Sequence, residues 1–236
     1  MKTCSLCRRT VSLRKSHIIP EFFFKPLYDE VHRFQWLSTD TAYKDRYEQK
    51  GLREKLLCDT CEATISKYET YVSRLFNGDQ RISSKREGKL IFLSRIDYKT
   101  FKLFLLSILW RAGVSQLLLF RQVSLGPHEE QLRNMLSQGD PGPFDLYPCV
   151  VDCVLHDEIP QFGLIVEPSF TRFEGHRCYR FLFGGFAWAF FVSSHGLPPA
   201  VKQRVLTEDG DLVIALRMLE ELKYLDSFFR KVIEVS

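Results

Sequence analysis

Residues 56–78 read LLCDTCEATISKYETYVSRLFNG. Cys58 and Cys61 are separated by two residues. From Asp59 onward Ile65, Tyr68, Val72 and Leu75–Phe76 recur at three- and four-residue steps, the mark of one apolar helix face. Asn77-Gly78 supplies the stop. A CxxC at the start of a helix sets its sulfurs where the helix N-terminus favours thiolate. Toward the chain start, Cys4 and Cys7 repeat the spacing. Two such turns offer four soft ligands, the set that closes a tetrahedral zinc site. A knuckle, a hairpin (Thr10–Leu13 with Ser16–Ile19) and a helix bearing the second pair make a treble-clef arrangement. The chain has seven cysteines, and the opening MKTCSLCRRTVSLRKSH lacks the apolar core of a signal peptide. The pairs are therefore read as metal ligands rather than disulfides, and the chain as cytoplasmic.

Outward from the finger, the composition is that of a globular protein. The 236 residues are 45% hydrophobic and 26% charged, which excludes collagen-like and disordered chains. The net charge of +4 hides an asymmetry: residues 1–100 hold 20 basic and 13 acidic side chains, residues 101–236 hold 13 and 16. A polyanionic partner is expected at the first half. Arg8, Arg9, Arg14 and Lys15 flank the first knuckle, and Lys50, Arg53 and Lys55 precede the second pair. They are the candidate phosphate contacts, of the kind that bind nucleic acid regardless of sequence. A solvated basic face without a partner is the alternative.

Beyond residue 78 the chain is read as an α+β region, 79–236. Asp97 is the expected N-cap of a helix over Tyr98–Phe120, and Pro127 opens a second one that Gly139 stops, so helices fill about 97–139. Lys102, Arg111 and Gln116 interrupt the apolar run 101–120, making it a buried helix rather than a membrane span. Arg111 then needs an acid or a carbonyl as partner. Cys149–Leu155, Gly163–Glu167, His176–Phe183 and Phe186–Val192 are rich in β-branched and aromatic residues and read as an antiparallel sheet over about 147–195. Cys149, Cys153 and Cys178 fall in it as small buried hydrophobes. A closing helix is expected over about 216–233, with Leu219, Leu222 and Leu225 on its apolar side.

Ser16-His17-Ile18-Ile19-Pro20 begins nine residues after Cys7. This motif, between two CxxC pairs in this order, resembles the zinc-stabilised HNH (His-Me finger) endonucleases over residues 1–76. The later LFLLSILWRAG extends the likeness to an uncharacterised bacterial group of HNH-like proteins associated with phage-defence loci. The resemblance implies His17 as the general base that activates water for phosphodiester attack. It implies Glu62, directly after Cys61, as the holder of a catalytic Mg²⁺ or Mn²⁺, beside the structural Zn²⁺ of Cys4, Cys7, Cys58 and Cys61. It implies nucleic acid as partner, DNA rather than RNA. Two positions depart from the family: Ser16 stands where Asp, His or Glu is usual, and Glu62 where His or Asn is usual. No Asn lies between His17 and Cys58 to match the family's central one.

The leading expectation is thus a metal-dependent nucleic-acid endonuclease. Its zinc-bound finger, residues 1–78, carries the chemistry, and its C-terminal region docks a protein partner or a second copy. The rival expectation is a zinc-finger module without catalysis that binds nucleic acid or a protein. Glu69, on the helix face of Glu62 and Ser66, is either a second carboxylate near the metal or a partner for Lys or Arg.

Overall fold

The computed structural model describes residues 1–36, 46–49, 51–79, 81–193 and 196–225. Its first element is a two-stranded clip, β1 (Lys2–Thr3) with β2 (Thr10–Val11), closing the first knuckle. The next strand, β3 (Arg14–His17), does not fold back on β2. It pairs with β6 (Arg53–Leu57), which runs straight into the second cysteine pair. The expected local hairpin is thereby replaced by a long-range one, because β3 shares its ladder with the strand that leads into the helix. Between them lie two short 3₁₀ turns, Glu21–Phe23 and Lys25–Leu27, and the pair β4 (Phe34–Trp36) and β5 (Arg46–Glu48). Helix α1 spans Asp59–Phe76 and buries Cys61, Ile65 and Val72, as its periodicity requires.

A hairpin that the sequence reading missed, β7 (Ser83–Glu87) and β8 (Leu90–Ser94), follows α1. Helix α2 (Tyr98–Val114) starts where expected, with the Asp97 side chain accepting from the Thr100 N–H at 3.1 Å. It stops before Phe120. Glu54 of β6 accepts from Ser115 Oγ and the Gln116 N–H, both at 2.9 Å, and draws the chain out of the helix. Helix α3 (His128–Gln138) ends at Gly139 in the left-handed conformation.

The large sheet follows, built from β9 (Cys149–His156), β10 (Ile159–Pro160), β11 (Val166–Phe173), β12 (His176–Phe183) and β13 (Phe186–Phe191). After the single turn α4 (Pro199–Lys202) comes β14 (Leu212–Met218). Its order is β11-β12-β13-β9-β14-β8-β7, with β10 folded back on β9. The expected helix from residue 216 is instead a strand as far as Met218, followed by 3₁₀ turns at Leu219–Glu221 and Lys223–Leu225. Residues 226–233 of that expectation lie outside the described residues. The run LVIAL is apolar at every position because both faces of β14 are covered, and such a run carries no helix-versus-strand signal of its own. The sheet is also not purely antiparallel, since β14 lies parallel to β9.

Helix α2 is buried from Phe101 to Ala112 and sits at the centre of the main core. Along β9, Cys149, Val151, Cys153 and Leu155 join that core, while Val150 and Val154 face clusters on the opposite side of the sheet. One contiguous apolar cluster takes in the finger (Leu6, Ile18, Phe23), α2 and the sheet. A close contact lies at the β12–β13 turn. Gly184 and Gly185 both have positive φ, and a Cβ on Gly184 would meet the Phe23 ring at 2.2 Å. Phe23 also stacks edge-on against Phe183 at 4.8 Å.

Lys102, in the first turns of α2, is 2% exposed and donates to the carbonyls of Tyr147 (3.0 Å) and Phe144 (3.4 Å). Burial pulls its pKa down to about 7, against weaker support for the charge from Cys149 and Asp145. Between about pH 7 and the ordinary lysine value the unfolded chain binds a proton that the folded chain does not, so this residue makes stability rise with pH. The gain is expected to approach about 1.4 kcal/mol per pH unit. Urea unfolding midpoints of the wild type and Lys102→Met at pH 7, 7.75 and 8.5 should diverge accordingly, the wild type rising relative to the variant.

Candidate metal centre and adjoining groove

The four knuckle cysteines converge from two turns. Their sulfurs all lie within 4.8 Å of one another, and Cys7 Sγ and Cys58 Sγ are 3.7 Å apart. Tetrahedral thiolates at 2.3 Å from Zn²⁺ stand about 3.8 Å from one another, so the cage has the size and the donors for such an ion. The four cysteines could hold a metal ion such as zinc. The knuckle backbone is closed by Cys4 N–H to the Arg9 carbonyl and Arg8 N–H to the Cys4 carbonyl, both 2.9 Å, with Arg8 left-handed at φ 63°. The Cys58 N–H donates to Cys4 Sγ at 3.3 Å and ties the two knuckles together. Burial raises the thiol pKa values of Cys4 and Cys61. At Cys7 burial works the same way but is outweighed, chiefly by the Arg9 guanidinium at 3.4 Å, and the thiol comes down to about 6. Helix α3 braces the knuckle from outside, with Arg133 donating to the Leu6 carbonyl at 2.8 Å and Glu130 pairing with Arg8 at 3.2 Å.

Beside this cage a groove of about 630 Å³ runs along β3, β6 and the first turns of α1. Arg14, Lys15 and Arg53 line it from the strands, Asp59, Glu62 and Ser66 from the helix. Ser16, fully buried, donates its Oγ to Glu62 Oε2 at 2.6 Å. The strand residue next to the expected base and the helix carboxylate are thus in direct contact. Arg14 forms an ion pair with Asp59.

No protein-family model, no curated protein and no solved structure matches this chain.

His17, at the end of β3, is half-buried, with its Nε2 2.5 Å from Glu21 Oε2. Burial holds the imidazole below its ordinary pKa, with Arg53 and Arg111 pushing the same way and Glu21 and Glu62 against it. Burial thus favours the neutral ring. Below its backbone lies a charged node. Arg111, fully buried on α2, donates to the His17 carbonyl at 2.5 Å and to the Ser107 carbonyl at 3.1 Å, and pairs with Glu69 Oε1 at 2.7 Å. Of the two roles open to Glu69, the structure gives it the arginine partner. Burial raises its pKa and Arg111 opposes that.

The basic residues divide into three groups. Arg14, Lys15 and Arg53 line the groove, Lys55 is exposed opposite Lys15 in the β3–β6 ladder, and Arg8 and Arg9 serve Glu130 and Cys7. Lys50 lies outside the described residues. Among the described residues, no second group of three His, Cys, Asp or Glu ligands comes as close together as the four cysteines. Among the described residues no helix is long and apolar enough to cross a membrane. Glu21 and its partner Tyr28 were missed by the sequence reading. The signal for Glu21 was its place directly after the motif, four residues from His17.

Elemental analysis of the purified protein should find about one Zn²⁺ per chain, the stoichiometry of a four-thiolate cage. Cys58→Ser should lose the metal and lower the thermal midpoint. Zinc uptake by the metal-free chain should release protons, because Cys4 and Cys61 start as thiols.

Proposed function

We propose that this chain is a metal-dependent nucleic-acid endonuclease of the HNH type, built on a treble-clef finger with a structural zinc at Cys4, Cys7, Cys58 and Cys61. The observation that carries the reading is the Ser16–Glu62 hydrogen bond, which joins the strand bearing His17 to the helix bearing the carboxylate at the edge of a basic groove. Burial favours the neutral form of His17, the form that can accept a proton from water as a general base does. Lys15 and Arg53 would hold the phosphodiester, with Arg14 as a third cation already paired to Asp59. Glu62 faces the groove with one oxygen bonded to Ser16. A single carboxylate is enough for a hard cation that keeps water and takes phosphate oxygens. When bound there, Mg²⁺ or Mn²⁺ would stabilise the charge on the leaving oxygen. DNA is the preferred substrate of this reading.

A second reading, a zinc module that binds nucleic acid or a protein without cutting, is favoured by one observation. Glu62 and Arg14 already have partners within the finger, Ser16 and Asp59.

The two readings separate on DNA and RNA substrates supplied with Mg²⁺ or Mn²⁺. The nuclease cuts and is stopped by EDTA. His17→Ala lowers cleavage by about 10²-fold or more with zinc retained, and Glu62→Gln abolishes cleavage while binding persists. The binding module gives salt-sensitive binding and no product under either cation. That outcome would overturn the nuclease reading.

A further inference from the structure

Two exposed rings stand on the chain between β3 and β6, each already resting on a second group. The loop from Asp29 to Arg33 is pinned by one carboxylate. Asp29 Oδ1 accepts the N–H groups of Val31 (3.0 Å) and Arg33 (2.7 Å), and its Oδ2 pairs with Arg33 Nε at 3.1 Å. This loop carries His32 in the left-handed region at φ 59°, exposed, with its ring stacked on Tyr28 at 3.9 Å. In the β4–β5 pair Tyr47 stands opposite Gln35, and the Arg33 guanidinium lies 4.9 Å from the centre of the Tyr47 ring. Tyr47 is nonetheless 61% exposed. Both rings are tied to the groove. Phe34 of β4 is buried against Phe24 (5.4 Å) and Tyr28 (6.0 Å). Tyr28 Oη accepts the Gly51 N–H at 3.2 Å, and two residues after Gly51 comes Arg53, which lines the groove.

We propose that His32 and Tyr47 form a base-stacking platform beside the groove, and that the substrate is a single strand of nucleic acid, its phosphates on Lys15 and Arg53 and its bases on these rings. The inference rests on the reading of the groove as a nucleic-acid site and adds the strandedness of what the site takes. In a duplex the bases are stacked on one another and offer the protein no ring face, whereas an unpaired base does. A cationic track with aromatic rings beside it is the combination that holds single strands, and it is blind to sequence because every base has a π-face. Here the rings are set before any strand arrives. Arg33, fixed by Asp29, lies over Tyr47 as a cation over a ring. His32 rests on Tyr28, whose hydroxyl is held between Glu21 and Gly51. A base laid on either ring extends a stack already begun, so little side-chain freedom is lost on binding. The acidic neighbour Glu48 stands opposite Phe34, on the other face of the β4–β5 pair from Tyr47.

The test uses the zinc-loaded full chain without Mg²⁺ or Mn²⁺ and two fluorescent probes, a short oligothymidylate and a duplex of the same length. At equal salt the single strand should bind about 10-fold or more tighter than the duplex. Tyr47→Ala should weaken single-strand binding about 5- to 100-fold, the worth of one base on one ring. His32→Asn, which keeps a residue that tolerates the left-handed backbone, should do the same. Duplex binding should change less than about twofold in either, since no base is stacked there. Tyr47→Phe keeps the ring and should bind as the wild type does. The slope of log affinity against log salt should be unchanged in the ring variants and fall by about 0.7 in Lys15→Gln, which loses a phosphate contact. A strand carrying iododeoxyuridine, irradiated and mapped by mass spectrometry, should crosslink to Tyr47 or His32. Zinc content and thermal midpoint check each variant, and if His32→Asn fails that check, Tyr47→Ala and the crosslink decide. Duplex binding as tight as single-strand binding overturns the proposal. So does unchanged single-strand binding in the ring variants while Lys15→Gln still flattens the salt dependence, and the nucleic-acid reading then survives. Failure to bind either probe at low salt overturns that reading and the proposal with it.

Discussion

The orientation of the finger against the rest of the molecule depends on one buried guanidinium. Arg111 lies in the middle of α2, fully enclosed, and its donors go to Ser107 on its own helix, to the His17 carbonyl at the end of β3 and to Glu69 on α1. Desolvating such a charge costs several kcal/mol, recovered only if every partner is in place. Removing one partner leaves the other charge stranded, at about 3–5 kcal/mol. The cost works as a geometric constraint. A small slip of α1 along α2, or of β3 away from either, breaks the node rather than stretching it. The strand end that carries His17 is thus indexed to a helix from outside the finger.

Other contacts repeat the arrangement around the finger. On one flank Phe23 fills the space that Gly184 leaves at the β12–β13 turn, and on another Arg133 of α3 reaches the Leu6 carbonyl inside the first knuckle. Inside the finger, Ser16 and Glu62 join strand to helix. The segment that carries the cage is thereby held to α2 at His17, to α3 at Leu6 and to the sheet at Phe23, and the groove beside it is lined by residues of β3, β6 and α1. A finger held this way has little freedom to rotate, so the residues that line its groove keep fixed positions relative to one another.

Much of this was legible in the chain, and the parts that were not share a cause. Helix α1 and helix α3 carry their own caps and periodicity, and the strands β9, β12 and β13 are marked by Val, Phe, Tyr and Cys between turn residues, whereas the strand expected over Gly163–Glu167 lies instead at Val166–Phe173 and shares only two residues with it. The cysteine pairs announce themselves by spacing. What escaped depends on partners far along the sequence. Strand β3 looks like half of a local hairpin until β6 claims it. Arg111 states its need for a partner but not that Glu69 and the His17 backbone would supply it. Residues 212–216 are apolar throughout, and only their place between β9 and β8 makes them a strand. Glu21 looks like an ordinary surface acid after a proline, and the hydrogen bond it accepts depends on where the chain brings Tyr28.

The place of β14 has a consequence for how the protein is made. Strand β8 leaves the ribosome early, but the residues that pair with it, such as Leu212 opposite Leu93, come more than a hundred positions later. At about 5–20 residues per second the wait is of order ten seconds. Until β14 is made, β8 and then β9 each present an open edge, the one with Ile91 and Leu93 and the other with Cys153, Val154 and Leu155 beside Asp152, and both are available to any neighbouring chain. Synthesis halted before residue 212 therefore does not yield a smaller version of this protein. It yields two unfilled ladders, a substrate for chaperones and proteases.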